Sequence, residues 1–266
     1  MQITFTLRYS VLFLGLFMAL FLGPGLLQPA RAIVNMEALL FKKQQKGVSG
    51  DMSLLFSGSS GNSDTSNISF DAQLSWVREN TINLILLGYQ YGKSNEVVSD
   101  DKSFVHFRHI HKMTSVTDWE AFTQFENNKF TRLSYRALLG GGLRFSVGGS
   151  ETHHAFLGVG AFYSRENIEY RAGLTDDGTE ELTRGNVYLM SHYQLKPTLK
   201  WSNVVYYQPS LGEFSDFRAL LQSSFDFKIN EHLNFSISLD INHDSQPAQS
   251  VKSTDTSYRS GLKWQF

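Results

Sequence analysis

Charged side chains that alternate along two neighbouring segments are the residues of this sequence best suited to chemistry. As strands, these segments place polar residues on one face: Glu120, Gln124 and Glu126 on the first, and Arg132, Ser134, Arg136 and Arg144 on the second. A hairpin would pair either Glu126 with Arg132 or Glu120 with Arg136, depending on a two-residue choice of register. Such charges either line an ion-selective pore or neutralise each other in a closed lumen, and the second alternative is preferred.

Glycines form a second pattern on the same predicted inward face. A hairpin centred near Ser150 would pair Gly140 with Gly160 and Gly142 with Gly158. The resulting patch has no side chains, so it permits sharp curvature of the sheet or makes room for an aromatic ring across the lumen. Curvature is preferred over a seat for a ligand.

Metal and cofactor sites are not indicated. On a strand, His109 and His111 share one face while His106 lies on the other, so the three side chains do not converge on one ion. The acidic residues between 176 and 181 do not have the spacing of a calcium loop. We therefore expect no metal and no cofactor.

An enzyme of the surface hydrolase class is the alternative function. It would need a nucleophile beside a base, and His109, His111 and Ser191 all have outward positions. These residues come from nonadjacent predicted strands, and the sequence contains no G-x-S-x-G element and no cysteine. We therefore expect no catalytic residues.

The elements that position these residues are predicted by alternation of apolar and polar residues. Between 67 and 76, Phe70 and Leu74 belong to an apolar face while Asp71 and Gln73 belong to a polar one. The same division predicts twelve strands: 47–58, 67–78, 81–91, 102–112, 118–126, 131–147, 154–164, 185–195, 199–208, 217–228, 233–242 and 255–266. Short turns near 78–81, 113–117, 196–198 and 229–232 alternate with mostly longer loops, of which 165–184 is the longest.

The predicted fold class is all-β, a single closed antiparallel up-and-down transmembrane barrel of about twelve strands over residues 47–266. Alternation alone also describes a soluble sandwich or barrel, in which the apolar face would point inward. Aromatic residues near strand ends, the asymmetry of the connections and the even strand number favour the membrane barrel. Hydrocarbon offers backbone groups no partners, so strands cross it only as a closed cylinder.

The first residues predict export. Arg8 precedes an apolar run over 9–27, and Ala30 and Ala32 follow at the spacing of a cleavage site. We expect a signal peptide over 1–32 that is cleaved after Ala32, Sec-dependent export and a periplasmic segment over 33–46. A retained helical anchor is the alternative, against which Pro24 and Gly25 argue because they break the helix.

The last predicted strand carries a signal for barrel assembly. Tyr258, Leu262, Trp264 and the terminal Phe266 fall on one face. The expected partners are therefore the barrel-assembly machinery, periplasmic chaperones and outer-membrane lipid. The formal net charge of -1 gives no reason to expect nucleic acid, whereas small solutes or ions are possible partners.

Seven stretches resemble one known family. They are IVNME at 33–37, SGSSGNSDT at 57–65, RHIH at 108–111, WEAF at 119–122, RLSYRALLGGG at 132–142, YYQPSLGEFSDFR at 206–218 and TDTSY at 254–258. Together they resemble the salt-induced outer membrane proteins, domain of unknown function 481. The resemblance implies an outer-membrane barrel without an established reaction. We expect a role in envelope structure or in passage of small solutes or ions, with a surface hydrolase or a closed barrel of the envelope stress response as alternatives.

Overall fold

The computed structural model describes residues 46–60, 64–150 and 152–265. The predicted signal peptide, residues 33–45 and Phe266 lie outside these ranges. The described residues form the strands β1 Gly47–Ser59, β2 Thr65–Val77, β3 Thr81–Ser94, β4 Val97–Lys112, β5 Thr117–Asn128, β6 Leu133–Gly149, β7 His153–Ile168, β8 Gly178–Lys196, β9 Leu199–Pro209, β10 Phe217–Lys228, β11 Leu233–Asp244 and β12 Thr254–Gln265. One 3₁₀ turn, Lys129–Thr131, joins β5 to β6.

The twelve strands form one closed barrel in which every strand pairs antiparallel with its neighbours in sequence. The ring closes between β1 and β12, where Asp51 pairs with Gln265 and Met52 with Trp264. The predicted fold class is therefore confirmed. Over the residues that the structure describes, no helix has the length and apolar character needed to span a membrane.

Several strands run further than alternation predicts. β7 ends at Ile168 and β8 begins at Gly178, so the predicted loop 165–184 is reduced to 169–177. Polar residues occupy both faces of this extension, which removes the contrast that marks a strand in sequence. β3 and β4 are likewise joined through Asn95 and Glu96, whose φ angles of 48° and 67° are those of a two-residue hairpin turn.

The two ends of the barrel differ in their connections. We call the end with connections 60–64, 95–96, 129–132, 169–177, 210–216 and 245–253 the loop end. The opposite end, with connections 78–80, 113–116, 150–152, 197–198 and 229–232, is the turn end. The short turns predicted from the sequence all lie at the turn end.

The outer wall of the barrel is apolar. Ile237 is 43% exposed, Leu262 is 54% exposed and Tyr258 is 72% exposed, although all three are large hydrophobic residues. On the other side of the β1–β12 junction, Phe70 of β2 pairs with the exposed Tyr89 of β3. The apolar face of the alternation therefore points away from the lumen.

Inside the barrel, one sector is apolar as well. Ile82, Leu84 and Leu86 of β3 are at most 3% exposed, because they point into the lumen. They belong to a cluster that reaches across to β8, β9 and β10 and that we call the apolar plug: Ile82, Leu84, Leu86, Ile110, Tyr188, Met190, Val204, Tyr206 and Leu220. This apolar sector is not predicted from the sequence, because both faces of β3 are apolar and the strand lacks clear alternation.

The glycine register differs from the predicted one by two residues. Gly142 pairs with Gly160, whereas Gly140 lies opposite Phe162 and Gly158 lies opposite Arg144. Gly149 pairs with His154, so the hairpin turns further along the chain than Ser150, and a bulge between Ser146 and Gly148 brings the final offset to two residues. A sequence pattern cannot reveal such an offset, because each residue keeps its face when the register moves by two.

Two of these glycines permit a close backbone approach. A Cβ atom on Gly142 would lie 2.7 Å from Cα of Gly160, which is closer than packed atoms come. Gly158 instead leaves room for a ring, since a Cβ atom there would overlap Tyr188. The patch therefore combines tight strand contact with space for an aromatic side chain in the lumen.

We predict that Gly142→Ala lowers the free energy of unfolding by about 1–3 kcal/mol, because the added methyl group forces β6 and β7 apart. Gly148→Ala is the matched control on the same strand, since a Cβ atom there meets its nearest neighbour at 3.7 Å. Urea unfolding of the refolded protein in detergent measures both. Equal stability of the two variants would contradict the proposed close approach.

Candidate functional site in the barrel lumen

A charge network occupies the lumen near the loop end. Glu166 of β7 accepts hydrogen bonds from Nη2 of Arg136 at 2.8 Å and from Nη1 and Nη2 of Arg218 at 2.7 and 3.0 Å. Arg136 also donates to Glu126 at 2.6 Å, and Nε of Arg218 donates to Asp244 at 2.8 Å. These bonds connect β5, β6, β7, β10 and β11 around one buried carboxylate, so they hold strands that are not neighbours in fixed positions.

The predicted charge pairs are corrected by this network. Glu126 faces Arg136 in the β5–β6 register, whereas Glu120 lies opposite Gly142. Neither predicted pairing occurs, because a register shift follows Glu126 and the 3₁₀ turn lengthens the connection. Arg132 lies outside β6 for the same reason, at the end of that turn with a φ angle of 57°.

A second ion pair crosses the middle of the lumen. Nη1 of Arg108 lies 3.1 Å from Oε2 of Glu120, and both side chains are buried. The hydroxyl of Tyr188 donates to the other oxygen of Glu120 at 2.9 Å. Because Tyr188 comes from β8, this carboxylate connects the β4–β5 wall with a strand a quarter of the ring away.

Arg144 lies closer to the turn end and is only 1% exposed. Its guanidinium group stacks over the ring of Phe156 at 3.7 Å and lies 3.9 Å from Asp118. Stacking on an aromatic face is favourable for a desolvated guanidinium. Arg144 therefore belongs to the filling of the lumen and takes no part in the Glu166 network.

Sequence reasoning missed several residues of the lumen, namely Arg108, Glu166, Arg184 and Arg218. Glu166 was assigned to a loop because β7 was predicted to end at 164. Glu166 shares the inward face of Gly158, Gly160 and Phe162, because side chains at alternate positions of a strand lie on the same face. A strand extended beyond residue 164 would therefore have placed Glu166 in the lumen. Arg184 lies on β8, next to the strand that carries Glu166, and pairs with Asp216 at 2.8 Å; it was likewise assigned to the predicted loop 165–184.

A cavity of about 180 Å³ with both polar and apolar lining lies chiefly beside the wall formed by β10, β11, β12, β1 and β2 and reaches Phe104 of β4 and Glu126 of β5. Its charged lining includes Lys263, whose Nζ lies 3.7 Å from Asp51, and Arg259, which lies 3.8 Å from Asp71. Asp226 also lines the cavity and is 8% exposed, and its Oδ1 has no hydrogen-bond partner among the described residues. Serine hydroxyl groups cover much of the remaining wall: Ser53, Ser224, Ser236, Ser238 and Ser260.

The mouth at the loop end is closed by a cluster of hydrogen bonds that we call the loop clasp. Arg132 is 1% exposed and donates to Asp176 at 2.6 Å, to the carbonyl oxygen of Gln249 at 3.1 Å and to that of Glu169 at 2.8 Å. The backbone N–H of Gln249 donates to the second oxygen of Asp176 at 2.5 Å. The connections 129–132 and 245–253 lie half a ring apart. The clasp therefore spans the mouth.

The clasp lowers the pKa of Asp176. The hydrogen bond from the Arg132 guanidinium favours the ionised carboxylate most strongly, so the pKa lies below the ordinary value of 3.8. The contact consequently persists at neutral pH and weakens only in acid.

Histidines do not form a metal site in the described part of the chain. His106 points inward and binds Gln124, whereas His109 and His111 lie outside the lumen against Trp119. Over the described ranges, no group of three or more His, Cys, Asp or Glu side chains is arranged to hold a metal ion.

The residues expected to signal barrel assembly lie on the outer wall where they are described. Leu262 and Trp264 are 54% and 49% exposed on β12, beside the exposed Tyr258. The indole of Trp264 also stacks on His232 at a centroid distance of 5.3 Å. Recognition by assembly factors stays a prediction.

Solved bacterial outer-membrane barrels are similar to this fold. The translocator domain of the autotransporter NalP from Neisseria meningitidis has a TM-score of 0.52 at 11% identity, over 86% of this chain and 92% of that chain. The NanC porin has a TM-score of 0.48 at 10% identity, over 83% of this chain and 100% of that chain. At these identities the likeness concerns the fold alone. No curated protein matches the sequence.

A family model does match the chain. It covers residues 53–266 and carries the description "Protein of unknown function, DUF481". The matched region begins within β1 and contains all other strands and, except for Asp51, the lumen residues described above. This chain therefore belongs to the DUF481 family of proteins of unknown function.

Proposed function

We propose that the protein is a barrel of the bacterial outer membrane that passes small polar solutes or ions by a narrow off-axis route, closed in the state described. The observation that carries this proposal is the division of the barrel into an apolar outer wall and a lumen that retains a cavity of about 180 Å³ lined in part by charged and serine side chains. The outer wall suits hydrocarbon, and these polar groups suit hydrated guests. The export signal predicted from the N-terminal residues agrees with the same location.

The route is restricted by what fills the rest of the lumen. The apolar plug occupies the sector between β3 and β8–β10, and the Glu166 network occupies the region beneath the loop end. The cavity extends from the level of Glu126 to that of Lys263 and Asp226 near the turn end. Passage therefore requires the loop clasp and its underlying ion pairs to open.

A closed structural barrel is the second candidate. The observation in its favour is that the lumen charges of β5 and β6 are neutralised by close partners, as in the 2.6 Å contact of Arg136 with Glu126. Buried ion pairs of this kind specify an arrangement of strands more than they stabilise it. Conductance measurements separate the two candidates.

The surface hydrolase gains no support from the geometry. His109 belongs to β4 and Ser191 belongs to β8, and three strands separate them around the ring. His109 binds Asn83 at 2.7 Å and packs against Trp119. A nucleophile and its base must lie within hydrogen-bond reach, which this placement does not provide.

We predict that the mature protein requires a bilayer or detergent to stay dispersed, because its outer wall exposes large hydrophobic residues on every side. Membrane fractionation and carbonate extraction check the location, and heat-modifiable mobility on gels checks the barrel. A mature chain that stays monomeric in plain buffer would rule out the membrane barrel.

We predict that Arg132→Gln raises the probability of the conducting state at least about tenfold in planar bilayers. The variant removes hydrogen bonds of a buried charged donor, and each is worth on the order of 1.5–3 kcal/mol. Arg165→Gln is the matched control, since its exposed pair with Glu181 at 3.6 Å also lies near the loop end. Absence of current from the wild type and from both variants would favour the structural barrel.

We predict that acid opens the same clasp. The carboxylate of Asp176 contributes stability above its unfolded pKa, and that contribution is lost as the pH falls through the lowered folded value, below 3.8. The wild type should therefore conduct more below about pH 3.8, while Asp176→Asn should conduct at neutral pH with a weaker dependence on acid. Identical pH profiles for the two proteins would show that the clasp does not gate the barrel.

A further inference from the structure

A small enclosed pocket lies in the lumen on the side opposite the off-axis cavity. Its volume is about 30 Å³. The residues that line it come from β4, β5, β6, β7, β8, β9 and β10: His106, Arg108, Phe122, Gln124, Arg136, Leu138, Phe162, Asn186, Tyr206, Gln208 and Arg218. The pocket is thus walled by both sides of the barrel.

The charged groups in this lining are all cationic. Three guanidinium groups border the pocket, those of Arg108, Arg136 and Arg218, whereas its described lining contains no carboxylate. Arg136 and Arg218 both bind Glu166, which holds their guanidinium groups close together. Each guanidinium group is also paired with a carboxylate outside the lining, Arg108 with Glu120 and the other two with Glu166, so their charges are balanced and the pocket is distinguished by its N–H donors.

Several donors around the pocket are unused. Nε of Arg108, Nε of Arg136 and Nε2 of Gln124 have no hydrogen-bond partner within the described ranges. Their side chains are 2%, 7% and 5% exposed, so bulk water does not satisfy these donors. A buried donor without a hydrogen-bond partner costs about 1–3 kcal/mol, and more when it is charged. Such donors in folded proteins therefore usually bind a protein acceptor, an ordered water molecule or an ion.

Gln124 is held in a defined orientation. Its Oε1 lies 2.9 Å from Nδ1 of His106. Because an amide oxygen only accepts, Nδ1 of His106 is the donor and the amide NH₂ of Gln124 stays available for another acceptor. Phe122, Leu138 and Phe162 form apolar wall of the pocket and limit the number of water molecules.

The size of the pocket selects its occupant. A volume of about 30 Å³ accommodates one or two atoms of water size. Phosphate, sulfate and carboxylate ligands are larger than this space. A single monatomic anion fits this space and accepts hydrogen bonds from several N–H groups at once.

We propose that this pocket binds one halide ion, chloride in the cell envelope, held by Arg108, Gln124 and Arg136. The ion would bridge β4, β5 and β6 and would accept hydrogen bonds from donors that have no protein partner within the described ranges. It would thereby lock the filled sector of the barrel, while the off-axis cavity on the other side stays free. This site does not depend on whether the barrel conducts.

Bromide is the probe for this site. Crystals of the detergent-solubilised protein soaked in sodium bromide should show one anomalous peak inside the pocket, within hydrogen-bond distance of Gln124 Nε2. In parallel, the thermal unfolding midpoint should be higher in chloride than in gluconate at equal ionic strength, because a ligand that binds only the folded state stabilises it.

Gln124→Met tests the assignment, since it keeps the length of the side chain and removes its donor. The variant should weaken bromide binding at least about tenfold and abolish the difference between chloride and gluconate. Gln222→Met is the matched control, because Gln222 is a buried lumen glutamine that binds Asp240 and lines the other cavity.

Two results with the wild-type protein would together overturn the proposal. If the pocket shows no anomalous bromide peak and the unfolding midpoints in chloride and gluconate are equal, water fills the space. Bromide found only on the protein surface, or a salt difference that Gln124→Met retains, would overturn the assignment as well.

Discussion

The structure depends on closure of the strand ring. A strand in hydrocarbon has no water to satisfy its backbone N–H and C=O groups, so each edge must pair with another strand. The pairing of Asp51 with Gln265 and of Met52 with Trp264 removes the two edges that an open sheet would leave. The approach of Lys263 to Asp51 at 3.7 Å lies beside this seam, inside the barrel. Closure also separates the two faces of every strand into an outer wall and a lumen.

Once the ring is closed, the lumen must be filled without leaving buried charges unpaired. One sector uses apolar side chains, among them Leu84 and Met190, which come from opposite walls and are both 0% exposed. The sector near the loop end uses ion pairs, with Glu166 shared by Arg136 and Arg218. A shared carboxylate satisfies two cations at once, which limits the desolvation penalty that single buried pairs incur. The remaining space is the off-axis cavity.

The loop clasp adds a constraint that the strands do not supply. Arg132 adopts a left-handed backbone conformation, which is unfavourable for a residue with a side chain. Its contacts with Asp176 and with the carbonyl oxygens of Glu169 and Gln249 compensate for that conformation. The Arg132 side chain thereby holds distant connections over the mouth. Because these contacts all depend on one guanidinium group, loss of that group would release the mouth.

The sequence by itself determined the strands, their number, the closed up-and-down fold and the face that points outward. The strands and their number follow from the two-residue period, which is local and is expressed wherever one face is apolar and the other polar. The outward direction of the apolar face follows instead from the aromatic residues near strand ends and the asymmetry of the connections. The period became uninformative where both faces have similar polarity, so the apolar lumen face of β3 was not identified and the extension of β7 containing Glu166 was assigned to a loop.

Only the tertiary structure decided which residues meet across the barrel. Alternation is unchanged by a two-residue shift, whereas turn length and bulges set the register, and these bring Gly142 to Gly160 and Glu126 to Arg136. The contact of Arg132 with Gln249 joins residues 117 positions apart. Such contacts depend on the diameter of the closed ring and on the path of its loops, which no local pattern encodes.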